Sequence, residues 1–452
     1  ARHAFAPVEL APGISAPFPN GVPELDGHRA GIRGPAPTLP TESSAPQSWA
    51  ARPAPGPRDT SGDPGSRPLA GLRVLDLGVI VVGAEQGRLL ADQGADVIKV
   101  ENDAFLDGSR QARDGSVMTV TFAAGHRNKR SLGLDLRSPR GKDLFQRLVA
   151  DTDVVLTNYR PESLGLGYDV LRTVNPAVIV VDSSAFGSTG PWSRQLGYGP
   201  LVRACAGLTA QWRYPGEADG FSDALTVYPD HVAARIGIAG VLALLIRRRR
   251  TGTGGTVSVS QTEVMLGHAA ATAADKALVR AGAEVEGPTE PDAPWGVFPT
   301  AGDDDWCVVT VRGDDDWQAL CRVLDRDDLA AEPALTSANG RATTRDRIDA
   351  ALVDWLAQHD AVEAMSLLQA AEIPAGAMLR VSELPSFPYY TERRLFRLSG
   401  HPHIRQTFYL ENAPVHSARL PDPPDNPAPL LGEHTEQILR ETLGRTDSQA
   451  NT

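Results

Sequence analysis

One aspartate has the type and position to do covalent chemistry. Asp230 stands in the run Tyr228-Pro229-Asp230-His231, directly before a long apolar stretch that predicts a helix over residues 231–249. The positive end of the helix dipole keeps a carboxylate there ionised. A desolvated carboxylate can attack a thioester and form a mixed anhydride. The alternative is that Asp230 only caps the helix, which is the common role of an isolated aspartate at a helix start.

Other clusters of like charge have simpler explanations. Two runs of three aspartates, 303–305 and 314–316, could bind a metal ion, but each adjoins a predicted turn or helix start where Asp accepts backbone N–H groups. The four arginines 247–250 end the long helix ahead of Gly252, which is typical of a helix C-terminus. The three cysteines are widely spaced, so we predict no metal site and a reducing, cytoplasmic location.

The composition predicts a large globular protein with more than one domain. Of 452 residues, 41% are apolar and 22% charged, with a net charge of −12 that disfavours nucleic acid or a membrane surface as partner. No apolar segment reaches the roughly 18–20 residues that span a bilayer, and the longest is 236–246. The chain begins with Ala1 and without a signal-peptide hydrophobic region, so we expect a processed form or a piece of a longer protein.

Strands and helices alternate through the first half of the chain. Strands are predicted at 73–78, 96–100, 154–156 and 177–181, separated by helices at 83–93, 141–150 and 162–174. This alternation predicts an α/β fold with a parallel sheet covered by helices. Residues 256–290 are expected to be largely helical. A second unit follows, with strands at 295–298 and 306–311, helices at 314–323, 344–358 and 361–371, and a last helix near 433–443.

The predicted domains are a large domain at 68–275, a linker at 276–293, a small α+β domain at 294–385, and a segment at 386–452 that returns to the large domain. Residues 1–67 hold 13 of the 36 prolines and show no helical or strand period, which predicts a disordered or surface-draped arm. A second interpretation stays open. The run 34–42 is similar to 426–434, which favours the tail of a preceding copy of the same fold.

Seven segments in series resemble the family III CoA-transferases, which include formyl-CoA transferase and the α-methylacyl-CoA racemases. They are 69–77, 89–101, 127–136, 158–161, 186–191, 251–255 and 427–434. The resemblance implies a Rossmann-like large domain with a smaller domain between two linkers, in chains that interlock as a homodimer. It also implies an acyl-CoA and a carboxylic acid as substrates, with no tightly bound cofactor.

The resemblance implies that Asp230 is the catalytic nucleophile, since it follows Gly197-Tyr198-Gly199 at the family's distance. An aspartyl anhydride would form and then become an aspartyl-CoA thioester. Racemases of the family carry histidine at Tyr198, so a racemase or epimerase is the weaker alternative. Formyl-CoA transferase has glutamine at Val81 and glutamate at Gly199, so their absence predicts a larger or less polar acyl group. The absence of these two polar residues also leaves open the interpretation that the chain is the non-catalytic half of a tandem or heteromeric enzyme.

The resemblance further implies which residues contact CoA. Arg127, Lys129, Arg130 and Arg160 are predicted to bind the phosphates, and Asn158 and Tyr159 to line the adenine or pantetheine path. The remaining predicted contacts are Val81, Val82, Asn102 and Tyr198, with Asn102 standing where the family usually has arginine. For residues 127–130 a basic turn before a strand is an equal alternative. His126 and His231 are expected to be structural.

Overall fold

The computed structural model describes residues 2–34, 67–213, 226–283, 292–413 and 420–443, together with Gly220, Val415, Ser417 and Ala418. The chain divides into two compact units, one formed by 1–283 and 394–452 and the other by 284–393. The small domain predicted at 294–385 lies within the second unit.

The first unit contributes ten strands and eight helices up to residue 283, counted over its described residues. The strands are β1 (Phe5–Ala11), β2 (Ile14–Pro19), β3 (Glu24–Leu25), β4 (His28–Arg29), β5 (Arg73–Asp76), β6 (Asp96–Glu101), β7 (Arg130–Gly133), β8 (Val154–Thr157), β9 (Ile179–Ser184) and β10 (Gly255–Ser260). The helices are α1 (Ile80–Asp92), α2 (Val120–His126), α3 (Pro139–Val149), α4 (Tyr168–Val174), α5 (Gly199–Cys205), α6 (Tyr228–Thr251), α7 (Gln261–His268) and α8 (Ala270–Arg280).

The second unit packs helices on one face of a three-stranded antiparallel sheet. Its elements are β11 (Trp295–Pro299), β12 (Trp306–Thr310), α9 (Asp314–Val323), α10 (Asp327–Ala330), α11 (Ala338–Thr343), α12 (Arg345–Leu356), α13 (Ala361–Ala370), β13 (Ala375–Ala377) and α14 (Pro388–Glu392). The chain then returns to the first unit with β14 (Phe396–His401), β15 (Ile404–Glu411) and α15 (Thr435–Leu443). The aspartate runs take turn and helix-start roles, as expected: Asp314 begins α9, and Asp305 accepts the N–H of Ala361 at 2.9 Å.

Six parallel strands form the centre of the first unit, in the order β10-β9-β8-β5-β6-β7. This confirms the predicted α/β fold. Val74 of β5 lies beside Val97 of β6 and Val154 of β8, and all three are buried because helices cover both faces. β5 has β6 on one side and β8 on the other, so the chain winds away from it in both directions. Such a reversal opens a crevice at the carboxyl ends of the strands, where α/β proteins bind ligands.

Residues 5–29 correct the expectation of an arm without regular structure. β1 pairs with β2, while β3 and β4 extend the central sheet beyond β10 with Leu25 opposite Val257. Arg2 Nε and Arg29 Nη2 donate to Glu263 at 2.6 and 2.7 Å and fasten this segment to α7. Short strands interrupted by prolines leave too little periodicity for the sequence to reveal them. Residues 35–66, including most of the proposed repeat, lie outside the described residues.

The strand β10 is a second correction, because residues 256–260 were expected to be helical. Val257 and Val259 are buried and alternate with Ser258, which is the period of two that a strand requires. β10 leads directly into α7 at Gln261. The expectation of helix holds only after this point, over α7 and α8.

The long helix α6 is the core helix of the first unit. Its length and composition would allow it to cross a membrane, which corrects the expectation that no apolar segment is long enough. Half of its apolar window is nevertheless buried, and it packs on α1, β9 and β10. Gly240 permits this approach, because a Cβ there would lie 2.7 Å from Val257 Cγ1.

A buried ion pair lies beneath the first turns of α1. The wholly buried ammonium of Lys129 donates to Asp76 Oδ2 and to the carbonyl of Ala84, each at 2.8 Å. The other oxygen of Asp76 accepts the N–H of Gly78 at 2.9 Å. The pair thus joins the ends of β5 and β7 to α1 and fixes the loop that opens the crevice.

A second buried pair holds the first residue of α1. Lys99 donates to the carbonyl of Gly78 and pairs with Asp107 at 3.3 Å. Asp107 in turn accepts the N–H of Ile80 at 3.0 Å. Ile80 has φ of +57°, a conformation that a β-branched residue adopts only when its surroundings impose it. The charges beneath α1 therefore hold its start in a strained position.

We expect Lys129→Ala to lower the free energy of unfolding by about 3–5 kcal/mol, because it leaves the Asp76 carboxylate buried without its cation. Urea unfolding measures this change. The matched control is Arg172→Ala, which removes an exposed pair with Asp169 and should cost less than about 1 kcal/mol. Equal losses in the two variants would show that the buried pair does not organise this region.

Candidate active site

Asp230 lies in the first turn of α6 but does not cap it. The N-cap residue is Val227, and no side chain makes a cap hydrogen bond there. The Asp230 carboxylate instead turns towards two other elements, accepting the N–H of Gly199 at 3.1 Å and the side-chain amide of Gln261 at 3.1 Å. Only 4% of the residue is exposed. The interpretation of Asp230 as a simple helix cap is therefore wrong.

Gly199 is the residue that allows this approach. It begins α5, and a Cβ at its position would lie 2.7 Å from Val227 Cα and 3.0 Å from Asp230 Oδ2. Real Cβ atoms do not come that close to a backbone carbon, so any larger residue would displace the start of α6. A glutamate, which the family resemblance implies at this position in formyl-CoA transferase, does not fit here without a shift of α6.

Burial raises the pKa of Asp230 above its ordinary value, and the hydrogen bonds from Gln261 and Gly199 oppose that effect. The same burial makes the ionised form a stronger nucleophile, because fewer water molecules must leave before it attacks. Within the described part of the chain, one donor binds each Asp230 oxygen, so each oxygen retains a lone pair without a partner there. The arrangement suits a carboxylate that forms a bond to an electrophilic carbon.

A cavity of about 670 Å³ opens beside the first turn of α6 and is named here the α1–α6 cavity. Ile80, Val81 and Ala84 of α1, with Val227 and Val232 of α6, supply apolar lining. Further lining comes from α2 and from Tyr409 and Leu410 of β15. The predicted contact Val81 faces this cavity, whereas its neighbour Val82 is 3% exposed and packs in the core. The structure thus places Val81, but not the side chain of Val82, on the cavity wall.

One wall of the α1–α6 cavity is charged and centres on the buried Glu85. His231 Nδ1 lies 2.5 Å from Glu85 Oε2, and Arg235 and Arg88 donate to Oε1 at 2.5 and 3.1 Å. The two arginines also approach Glu411 of β15, at 3.6 and 3.1 Å. His231 was expected to be structural, yet the structure places its ring on a cavity wall next to Asp230.

The two partners in this wall shift each other's protonation. The hydrogen bond and charge of Glu85 raise the pKa of His231, although burial acts in the opposite direction. Burial alone would raise the pKa of Glu85, but His231, Arg235 and Arg88 together hold it below its ordinary value. The imidazolium form of His231 is thereby favoured.

A second cavity of about 530 Å³ lies at the carboxyl ends of β5, β6 and β8 and is named here the crevice cavity. The predicted contacts Asn102 and Tyr159 both line it. Arg137 and Phe105 also line it, with the guanidinium carbon 3.4 Å from the ring centroid. Sequence reasoning missed this pair because 32 positions separate its members along the chain. Ile80 borders both cavities.

Asn158 has a structural task at the entrance to the crevice cavity. Its amide nitrogen donates to the carbonyl of Val79 at 2.7 Å, and its oxygen accepts the N–H of Val79 at 2.9 Å. These two hydrogen bonds hold the loop before α1 against the end of β8. The direct ligand contact predicted for Asn158 stays a prediction.

Three of the four predicted phosphate-binding cations are paired with carboxylates of the protein. Lys129 is committed to Asp76, and the buried Arg127 donates to Asp92 at 2.7 Å. Arg130 binds Asp96 at 2.7 Å and Glu441 at 2.7 Å. Internal carboxylates thus pair with all three, as a structural basic turn would, and their contact with CoA phosphates stays a prediction. Of the other predicted contacts, Arg160 is exposed, and Tyr198 is 68% exposed at the N-cap of α5.

Replacement of Gly199 by alanine should destabilise the protein by about 1–3 kcal/mol, because the added methyl group meets backbone atoms of α6. Guanidinium unfolding measures the effect. Gly267→Ala is the matched control, since that glycine lies in α7 with no atom within 4 Å of the new methyl. Alanine should stabilise α7 there by up to about 1 kcal/mol. Equal stability of the two variants would contradict the close contact between Gly199 and α6.

Comparisons with known proteins agree on one family. Residues 69–435 match CoA-transferase family III. A probable CoA-transferase of Mycobacterium tuberculosis is 42% identical over 98% of this chain, which spans only 56% of that relative's length. Succinyl-CoA–D-citramalate CoA-transferase of Chloroflexus aurantiacus is 30% identical over 84% of this chain and 95% of its own.

Solved structures give the same result. A CaiB/BaiF family protein from Brucella suis superimposes with a TM-score of 0.72 at 26% identity, covering 83% of this chain and all of the other. A second protein of M. tuberculosis superimposes with a TM-score of 0.70 at 28% identity, over 82% of this chain and 99% of its own. The seven segments, the parallel sheet and these matches lead to one conclusion: the chain belongs to CoA-transferase family III.

Proposed function

We propose that the protein transfers coenzyme A from an acyl-CoA to a carboxylic acid, with Asp230 as the nucleophile. The observation that carries the proposal is the Asp230 carboxylate itself, buried at the head of α6 and held by two donors among the residues that the structure describes. Family membership supports the same reaction class. Because the chain spans about half of one relative, the proposal concerns the activity of the protein that contains it.

In the first half of the cycle, an Asp230 oxygen attacks the thioester carbon of the donor. The C–S bond breaks and CoA leaves as a thiolate, giving a mixed anhydride between the donor acid and Asp230. The thiolate then attacks the Asp230 carboxyl carbon. The anhydride C–O bond breaks, the donor acid leaves as a carboxylate, and CoA is held as an aspartyl thioester. The Gly199 N–H is placed to stabilise the oxyanion at Asp230.

In the second half, the acceptor carboxylate attacks the Asp230 carboxyl carbon and releases the thiolate. The new anhydride joins Asp230 to the acceptor. Attack of the thiolate on the acceptor's acyl carbon forms the product thioester and restores the Asp230 carboxylate. No proton or electron is gained or lost over the cycle, so the reaction requires no redox group.

We place CoA across the two cavities that meet at Ile80. The adenosine end fits the crevice cavity, where Phe105 offers an aromatic face and Arg137 a cation for phosphate. The thioester end would pass the start of α1 and enter the α1–α6 cavity, which is lined by Tyr228 and His231 from the same helical turn as Asp230. An interlocked homodimer, as the family resemblance implies, is part of this proposal.

The two alternatives are less well supported. A racemase requires a second acid or base facing the α-carbon, and Tyr198 stands where the family's racemases carry histidine. A non-catalytic half has no need to keep a carboxylate buried with two donors, which costs free energy. Two positions differ from formyl-CoA transferase, and each has a structural explanation. Gly199 is required by its close packing against α6, and Val81 lines a cavity with apolar walls.

Asp230→Asn should lower kcat for CoA transfer by on the order of 10³-fold or more, because the amide retains the size of the side chain but is not a nucleophile. The assay follows formation of a new thioester from succinyl-CoA and a panel of carboxylic acids by chromatography.

Asp169→Asn is the matched control for this variant. Asp169 also lies in the first turn of a helix, but its side chain is 88% exposed. It should leave the rate unchanged. Full activity in Asp230→Asn, or equal losses in both variants, would contradict the role of Asp230.

A further inference from the structure

We propose that the charged wall of the α1–α6 cavity binds the second carboxylate of a dicarboxylic acid substrate through His231 Nε2 and Arg235. This rests on the proposed function, because the first carboxylate must be the one that exchanges CoA at Asp230. The proposal adds a specificity site that the nucleophile alone does not require.

His231 is oriented for this task by Glu85. The contact at Nδ1 fixes the ring, so that Nε2 is the nitrogen available to a ligand. The side chain is 51% exposed and lines the cavity. Nε2 makes no hydrogen bond to any residue that the structure describes. An oriented imidazolium with one free N–H is a donor for a carboxylate oxygen.

Arg235 lies one helical turn beyond His231 on the same wall. Its Nη1 donates to Glu85 and to the carbonyl of His231, which fixes the guanidinium plane. Nε forms no hydrogen bond within the described part of the chain, and the side chain is 42% exposed at the cavity. The guanidinium therefore retains N–H groups that can bind an incoming carboxylate.

The charge balance of the wall includes the neighbouring nucleophile. The cations are Arg88, Arg127, Arg235 and the imidazolium of His231, and the carboxylates are Glu85, Asp92 and Glu411, with Asp230 beside His231. These charges balance while Asp230 is ionised, and the Asp230→Asn protein keeps one positive charge in excess when His231 is protonated. Deprotonation of His231 removes that charge, so binding of a second carboxylate should weaken as pH rises.

The spacing along α6 requires an acid whose two carboxylates are well separated. Asp230 and Arg235 are five residues apart, an axial rise of about 7.5 Å with a rotation of about 140° around the helix, so methylene groups must lie between the two carboxylates. The intervening lining, from Val227, Val232 and Val81, is apolar and accommodates the methylene groups. Formate has no second group to reach this wall.

Binding is tested in the Asp230→Asn protein, which holds thioesters without turning them over. Glutaryl-CoA and pentanoyl-CoA have the same chain length and differ in the second carboxylate, and calorimetry gives both affinities. We expect glutaryl-CoA to bind more tightly. His231→Gln and Arg235→Gln, each added to Asp230→Asn, should weaken glutaryl-CoA by about tenfold to a hundredfold and leave pentanoyl-CoA unchanged.

Two further variants make the result specific. Arg235→Lys retains the charge and should restore part of the preference for glutaryl-CoA. Arg249→Gln removes a charge from the exposed end of the same helix and should change neither affinity. The preference for glutaryl-CoA should decline with rising pH in the Asp230→Asn protein that retains His231. It should be independent of pH when His231→Gln is added.

Equal affinity for the two thioesters would overturn the proposal, as would equal losses for both in the variants. A preference for glutaryl-CoA that depends on His231 and Arg235 supports it. A further outcome is that the wild-type protein transfers no CoA while the Asp230→Asn protein still prefers glutaryl-CoA. That result would contradict the proposed function but support the carboxylate site. The two failures are therefore distinguishable.

Discussion

Burying the Asp230 carboxylate costs free energy that two neighbouring donors only partly offset, and the elements of the first unit are arranged to supply those donors. α5 can begin against α6 only because residue 199 is glycine. β10 ends so that Gln261 opens α7 within hydrogen-bond distance of Asp230. A carboxylate with more donors would be more stable and less reactive. With fewer donors its pKa would rise further.

The N-terminal segment contributes to this arrangement from a distance in the sequence. Arg2 and Arg29 both bind Glu263, which lies two residues after Gln261 on α7. β3 covers β10 along the edge that leads into the same helix. The junction that positions one donor to Asp230 is thus supported by strands that precede the central sheet in the chain. An arm without structure could not provide that support.

Local sequence patterns were sufficient for elements with long, regular periods. The limits predicted for α9, Asp314–Val323, are those observed, and Asp230 was correctly placed at the head of α6. Patterns were insufficient where a partner is remote. Lys129 and Arg127 read as ligand-binding cations because their carboxylates, Asp76 and Asp92, lie far earlier in the chain. The same difficulty concealed Gln261, whose role depends on where β10 ends.

The central claim is that Asp230 carries CoA during the reaction. The direct measurement is mass spectrometry of the proteolytic peptide containing residue 230, after incubation with an acyl-CoA and rapid treatment with hydroxylamine. Hydroxylamine converts an aspartyl thioester or anhydride into a hydroxamate, so the account predicts that modification at Asp230 and its dependence on acyl-CoA. An unmodified Asp230 in a protein that transfers CoA, or a hydroxamate at another carboxylate, would contradict it.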